Sequence, residues 1–230
     1  MAMVKICGLQ TVEAVRETAG LAVDHIGFMF ARSKRQVTPE QAGELIRQGL
    51  PVKGTAGRPE AVGVFVNPSK EELSAVLDKA PLDVIQLHGQ EDAAFCCWVK
   101  ETFPGVCVFK VISVTSTSAG GEQSQDSSPE AILSSYKPYI DGVLLDTFDP
   151  VYGGGSGKTF DWDAIPPFLS WCRQAGIPLL VAGGLAPDNV ADLIQTYAPD
   201  GVDVSSGVET DGIKDLTKIR SFVERVKTIV

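Results

Sequence analysis

Short apolar, β-branched runs alternate along this chain with longer stretches whose apolar residues recur at helical spacing. The runs predict strands over Val4–Cys7, His25–Phe30, Ala61–Val66, Val84–Leu87, Val106–Ile112, Gly142–Asp146, Leu179–Ala182 and Val202–Ser205. Runs such as Val62-Gly63-Val64-Phe65-Val66 are apolar at nearly every position, the pattern of parallel strands covered on both faces. Between them, Thr38-Pro39-Glu40-Gln41 and Ser69-Lys70-Glu71-Glu72 read as capping boxes that open helices. Ile213, Leu216, Ile219, Phe222, Val223 and Val226 keep helical spacing and predict an amphipathic helix near the chain end. Eight strand signals in 230 residues leave about 29 residues per unit, the size of one βα repeat. Parallel strands joined by helices make a closed barrel or an open doubly wound sheet. Eight units favour the barrel: an α/β, single-domain (β/α)8 TIM barrel over residues 1–230.

The segment 113–129 breaks the rhythm. It is rich in Ser, Thr, Gly and Gln, buries too little to offset its ordering entropy, and is expected to be a flexible loop after the fifth strand. Apolar residues make up 44% and charged residues 21%, an ordinary globular balance. The net charge of −9 repels nucleic acid and anionic membranes, so neither is an expected partner. A small anion remains compatible, since one pocket can be locally positive. The longest uncharged apolar run, Ala175 to Pro187, carries two prolines and falls short of the ~20 residues a membrane span needs. The N-terminus shows no secretory pattern, and a cytoplasmic location follows. The five cysteines (Cys7, Cys96, Cys97, Cys107, Cys172) are odd in number and lack CxxC spacing. With two histidines in the chain, no metal site is expected, and the thiols read as free.

In a barrel of this kind the active site lies at the carboxyl ends of the strands. Those ends carry Lys5 and Cys7, Arg32 to Arg35, Gln86 and His88, Asp146, Gly183 and Gly184, and Asp203 with Ser205 and Ser206. Residues two apart share a face, so Lys5 goes with Cys7, Gln86 with His88, and Asp203 with Ser205. A lysine inside a short buried strand is costly unless it lines a polar pocket. The stretch Gly153 to Thr159 partly looks like a P-loop, but Tyr152 stands where the first glycine of that pattern belongs. Nucleotide binding is therefore rejected in favour of a glycine loop that folds over a substrate, with Gly155 assigned to phosphate. Gly183-Gly184 and Ser205-Ser206-Gly207, at the last two strands, are the stronger phosphate signals, because glycine lets backbone N–H groups approach an anion.

Val4-Lys5-Ile6-Cys7-Gly8, Gln86-Leu87-His88-Gly89, Leu144-Leu145-Asp146-Thr147, Gly154 to Trp162, Ala182-Gly183-Gly184-Leu185 and Val202 to Glu209 together resemble the phosphoribosylanthranilate isomerases in order and spacing, from Val4 to Val226. The resemblance implies an Amadori rearrangement in tryptophan biosynthesis that uses no cofactor. A general acid opens the furanose ring of a phosphorylated substrate, and a general base then removes the C2′ proton. By that resemblance Asp146 is the acid and Cys7 the base. Positive charge from Lys5 would favour the Cys7 thiolate, whereas Asp146 needs a raised pKa to carry a proton at neutral pH. Arg35 is the candidate for the anthranilate carboxylate, although Arg32, Lys34 and Arg35 also fit a solvated charge run. Gln86 and His88 line the pocket or serve as structural groups, and Asp203 hydrogen-bonds the sugar or the amino nitrogen. Three alternatives stay open: another sugar-phosphate barrel enzyme, a non-catalytic docking barrel, and one domain of a multifunctional tryptophan-pathway chain.

Overall fold

The computed structural model describes residues 1–114, 128–147 and 162–229. Eight parallel strands pair in chain order and close: β1 (Met3–Cys7), β2 (His25–Met29), β3 (Glu60–Phe65), β4 (Val84–Leu87), β5 (Cys107–Val114), β6 (Gly142–Thr147), β7 (Leu179–Val181) and β8 (Gly201–Val204). Pairing of β8 with β1 seals the barrel and sets Lys5 opposite Asp203. Each strand leads into a helix: α1 (Val12–Ala19), α2 (Pro39–Gly49), α3 (Lys70–Leu77), α4 (Ala93–Thr102), α5 (Pro129–Leu133), α6 (Ile165–Ala175), α7 (Val190–Tyr197) and α8 (Leu216–Thr228). Among the described residues, no helix is long and apolar enough to cross a membrane.

The period of two along each strand sorts side chains into two cores. Cys7, Val62, Val64, Val84, Phe109, Val111, Leu144, Leu180 and Ala182 pack together inside the barrel. Their out-of-phase neighbours, among them Ile6, Phe28, Ile85, Leu87 and Leu145, form the larger core beneath the helices. Lys5, Gln86, Asp146 and Asp203 keep the inward phase. Among the described residues these polar groups gather toward the carboxyl ends; at the opposite end His25 meets Glu60 at 3.3 Å and the Phe109 ring edge-on at 5.4 Å.

The helix starts follow local chemistry. Thr38 and Gln41 close one capping box, and Ser69 and Glu72 the other, each by reciprocal hydrogen bonds. The last helix departs from the expectation. Asp215 caps it, accepting from the N–H groups of Thr217 and Lys218, so it begins at Leu216. Ile213 lies instead, 74% exposed, in a small hairpin of β9 (Glu209–Thr210) and β10 (Ile213–Lys214). The turn is Asp211-Gly212, with both φ angles positive (54° and 79°), as a tight two-residue hairpin turn requires. The predicted loop at 113–129 is narrower at both ends. Ser113 and Val114 pair with Asp146 and Thr147, and Ser128 caps α5; residues 115–127 lie outside the described residues.

Candidate active site

Two adjacent strands, β1 and β8, bring Lys5, Cys7 and Asp203 together on the inner face. Lys5 is fully buried, and its Nζ lies 2.9 Å from Oδ1 of Asp203. Burial opposes the ammonium charge, but Asp203 and the Cys7 sulfur outweigh it and hold Lys5 above its usual range. For Cys7 the balance falls the other way. Burial pushes the thiol up, Lys5 and Lys214 pull it back, and Asp203 pushes it further up. The expected activation by Lys5 is therefore present but outweighed here, first by burial of the thiol and then by the nearby Asp203 carboxylate. The neighbouring strand makes room for the sulfur: a Cβ on Gly27 would stand 2.7 Å from Cys7 Sγ.

Farther round the barrel, β4 and β6 place His88 and Asp146 side by side, with Nε2 to Oδ2 at 3.4 Å. Burial lowers the His88 pKa to about 4, with Lys5 and Lys110 adding to the fall, so the ring is neutral at pH 7 and the contact is not an ion pair. Asp146 is buried, as is Gln86 on the face that leads to His88. The turn carrying His88 is fixed from outside the barrel. Lys110 on β5, out of phase with its inward neighbours, donates to the Gly89 carbonyl at 2.7 Å and to Glu91 at 2.8 Å. Glu91 in turn accepts from the backbone N–H groups of Asn67 and Gly89. Breaking such a buried, fully bonded pair by removing one partner costs about 3–5 kcal/mol.

Arg35 is not a solvated charge. Its side chain crosses Gly8, where a Cβ would come within 2.6 Å of Cδ, and it grips Glu209 with two hydrogen bonds of 2.6 and 3.0 Å. Lys214, the cross-strand partner of Glu209, reaches the same carboxylate at 2.8 Å and also donates to the Ser205 carbonyl at 2.7 Å. Two buried cations thus share one carboxylate, which leaves local positive charge in an acidic protein. Sequence reasoning missed Glu209, Lys214, Lys110 and Glu91. The Asp211-Gly212 turn was the available signal for the Glu209–Lys214 pair.

Burial raises the Glu209 pKa, but Arg35 and Lys214 override it and bring it down to about 2. A carboxylate depressed in the folded state stabilises above its unfolded pKa and loses that contribution as pH falls through the folded one. The contribution is roughly 3 kcal/mol, lost between about pH 4.5 and pH 2. The Tm difference between wild type and Glu209→Gln should therefore shrink as pH is lowered across that window. A constant difference would contradict this account.

At the last two strands, Gly183 and Gly184 take φ of 86° and 62°, conformations that suit glycine. Gly207 sits against the Leu185 carbonyl, where a Cβ would collide. Among the described residues, the N–H groups of Gly183 and Gly184 donate to no backbone carbonyl. Ser205 Oγ bonds the Cys7 carbonyl at 3.2 Å, which ties this corner to β1. Gly155 lies outside the described residues. Also among the described residues, no group of three or more His, Cys, Asp or Glu side chains is arranged to hold a metal ion.

Comparison with known proteins adds a second line. A family model described as "N-(5'phosphoribosyl)anthranilate (PRA) isomerase" matches residues 4–225. A Brevibacillus brevis N-(5'-phosphoribosyl)anthranilate isomerase is 44% identical over 99% of this chain and 94% of its own. The protein of the same name from Listeria welshimeri is 40% identical over 99% of each chain. Among solved structures, phosphoribosyl anthranilate isomerase from Thermotoga maritima superposes over 100% of both chains, with TM-score 0.79 and 35% identity. A phosphoribosyl anthranilate isomerase in complex with reduced 1-(o-carboxyphenylamino)-1-deoxyribulose 5-phosphate matches over 100% of both chains, with TM-score 0.77 and 32% identity. On the strength of that family match and these relatives, the chain belongs to the N-(5'-phosphoribosyl)anthranilate isomerase family.

Proposed function

We propose that this chain converts N-(5-phosphoribosyl)anthranilate to 1-(2-carboxyphenylamino)-1-deoxyribulose 5-phosphate, the Amadori step of tryptophan biosynthesis. The observation that carries the reading is a buried thiol on β1 and a buried carboxylate on β6, Cys7 and Asp146, both at the carboxyl end of a barrel whose family match covers residues 4–225. Support also comes from the solved relative that holds a reduced carboxyphenylamino-deoxyribulose phosphate.

In this reading Asp146 delivers a proton to the ring oxygen as the C1′–O bond breaks. The anilino nitrogen lone pair moves into C1′, forming the Schiff base. Cys7, as thiolate, removes the C2′ proton, and the electrons of that C–H bond become the enolamine double bond. Proton transfer from the C2′ hydroxyl to C1′ completes the ketone, so the sequence is redox-neutral and needs no cofactor. Neutral His88 lies against Asp146 and fixes its approach, and Gln86 borders the same wall. Asp203 accepts from the amino nitrogen or a sugar hydroxyl.

The two anions of the substrate have separate seats. Arg35 with Lys214 supplies positive charge for the carboxylate, and a guanidinium matches that shape. Gly183, Gly184, Ser205, Ser206, Gly207 and Gly155 take the phosphate through backbone N–H and hydroxyl donors. The free thiols suit a cytoplasmic enzyme.

The test follows anthranilate fluorescence with freshly made phosphoribosylanthranilate. A change that requires the wild-type protein and is lost in Cys7→Ala supports the reading. No change with demonstrably folded wild-type protein would overturn it.

A further inference from the structure

We propose that Lys5 is a positioning residue shared between Asp203 and the Cys7 sulfur, and that substrate binding at Asp203 releases Lys5 to the sulfur, so that the base is armed only with substrate in place. The inference rests on the reading of Cys7 as base and deepens it.

The geometry isolates one movable charge. Lys5 is fully buried, so its ammonium needs a counter-charge at all times. It stands one inward position below Cys7 on β1 and opposite Asp203 on β8. Its Nζ is 2.9 Å from Asp203 Oδ1, yet among the described residues neither atom makes an aligned hydrogen bond. An ammonium has three donors, so this pair is close without being locked.

The other charges around Cys7 are held. Lys214 from β10 is bonded to Glu209 and Ser205, and Arg35 grips Glu209 with two hydrogen bonds. The β2 strand presents Gly27 opposite Cys7 and His25 opposite Lys5, where His25 Nε2 faces the Glu60 carboxylate at 3.3 Å. His88 from β4 is neutral and lies beside Asp146 of β6. Of the cations next to Cys7 among the described residues, Lys5 can shift without breaking an aligned hydrogen bond, whereas Lys214 cannot. While burial and the Asp203 carboxylate together offset Lys5, Cys7 stays a thiol. When the amino nitrogen or a sugar hydroxyl of the substrate donates to Asp203, Lys5 swings to the sulfur and the thiol proton passes to water.

Alkylation by iodoacetamide tests the charge relay. It is read on the Cys7-containing peptide, because Cys97 and Cys107 are partly exposed and react as well. The pH dependence of the rate is compared in wild type, Asp203→Asn and the double variant Lys5→Met/Asp203→Asn, which removes the buried pair as a neutral unit. Asp203→Asn should alkylate at least ~10-fold faster than wild type at pH 7, because the thiolate is the nucleophile. The double variant should lose that gain, its midpoint lying at least about one pH unit above that of Asp203→Asn. Equal midpoints in the two variants would overturn the proposal.

Gating has its own readout in the wild-type enzyme. The base should titrate at lower pH in kcat, which reports the substrate complex, than in kcat/KM, which reports the free enzyme. Coincident profiles with Cys7→Ala inactive would overturn the Lys5 gate alone. Full turnover in Cys7→Ala would overturn it by removing the base it arms.

Discussion

Cys7→Ser should lower kcat by roughly 10²–10⁴-fold, the range that a positioned general base contributes, while the protein stays folded. Serine is close to cysteine in size, and the space left by Gly27 next to the sulfur accepts the smaller oxygen without strain. An alcohol is far less acidic than a thiol, so the anion that removes the C2′ proton is lost. KM should move little, because the site's carboxylate and phosphate seats involve other residues. The pH profile is a sharper check than the rate. Burial holds the Cys7 thiol above its ordinary value, and a base works deprotonated, so wild-type kcat/KM should rise with pH toward and beyond neutrality. His88 cannot supply that rise, since its pKa of about 4 leaves it neutral across the range. In Cys7→Ser the rise should vanish along with the activity. A serine variant with wild-type turnover, or one that keeps the same rise, would remove Cys7 from its role.

How much of this was legible in the sequence depends on how local each cause is. The strands were readable because their apolar runs respond to burial on both faces. The inward phase of Lys5 with Cys7, and of Gln86 with His88, followed from strand geometry alone. Both capping boxes were readable because their partners lie three residues apart. Partnerships set by barrel closure were not. Arg35 meets Glu209 across 174 positions, and nothing near Arg35 separates a clamped guanidinium from a solvated one. Lys110 reads as an ordinary charged residue until β5 is paired with β4 and its side chain is set beneath the turn that holds Glu91. The activating effect expected of Lys5 was right in sign, but its competitor Asp203 comes from the last strand, and only closure of β8 on β1 makes it the stronger claimant. Ile213 misled because its spacing matches the helix that follows, whereas Asp211-Gly212 imposes a turn that periodicity does not register.

Asp146→Asn should also lose roughly 10²–10⁴-fold in kcat, but at a different step. The ring oxygen leaves as a poor alkoxide unless it is protonated as its bond to C1′ breaks. Asparagine keeps the shape and hydrogen-bonding capacity of the carboxyl group without an acidic proton to give. The neighbouring His88 offers no substitute, because at neutral pH its cationic form is scarcely populated. Substrate already committed to the ring-opened Schiff base would still meet an intact Cys7. The two variants should therefore separate on substrate deuterated at C2′. In Cys7→Ser removal of that hydrogen limits the rate, and a full primary isotope effect on kcat is expected. In Asp146→Asn ring opening limits the rate, and the effect should fall to near unity. A large isotope effect in Asp146→Asn would mean that Asp146 assists proton abstraction at C2′, and the acid would then have to be sought elsewhere on the rim.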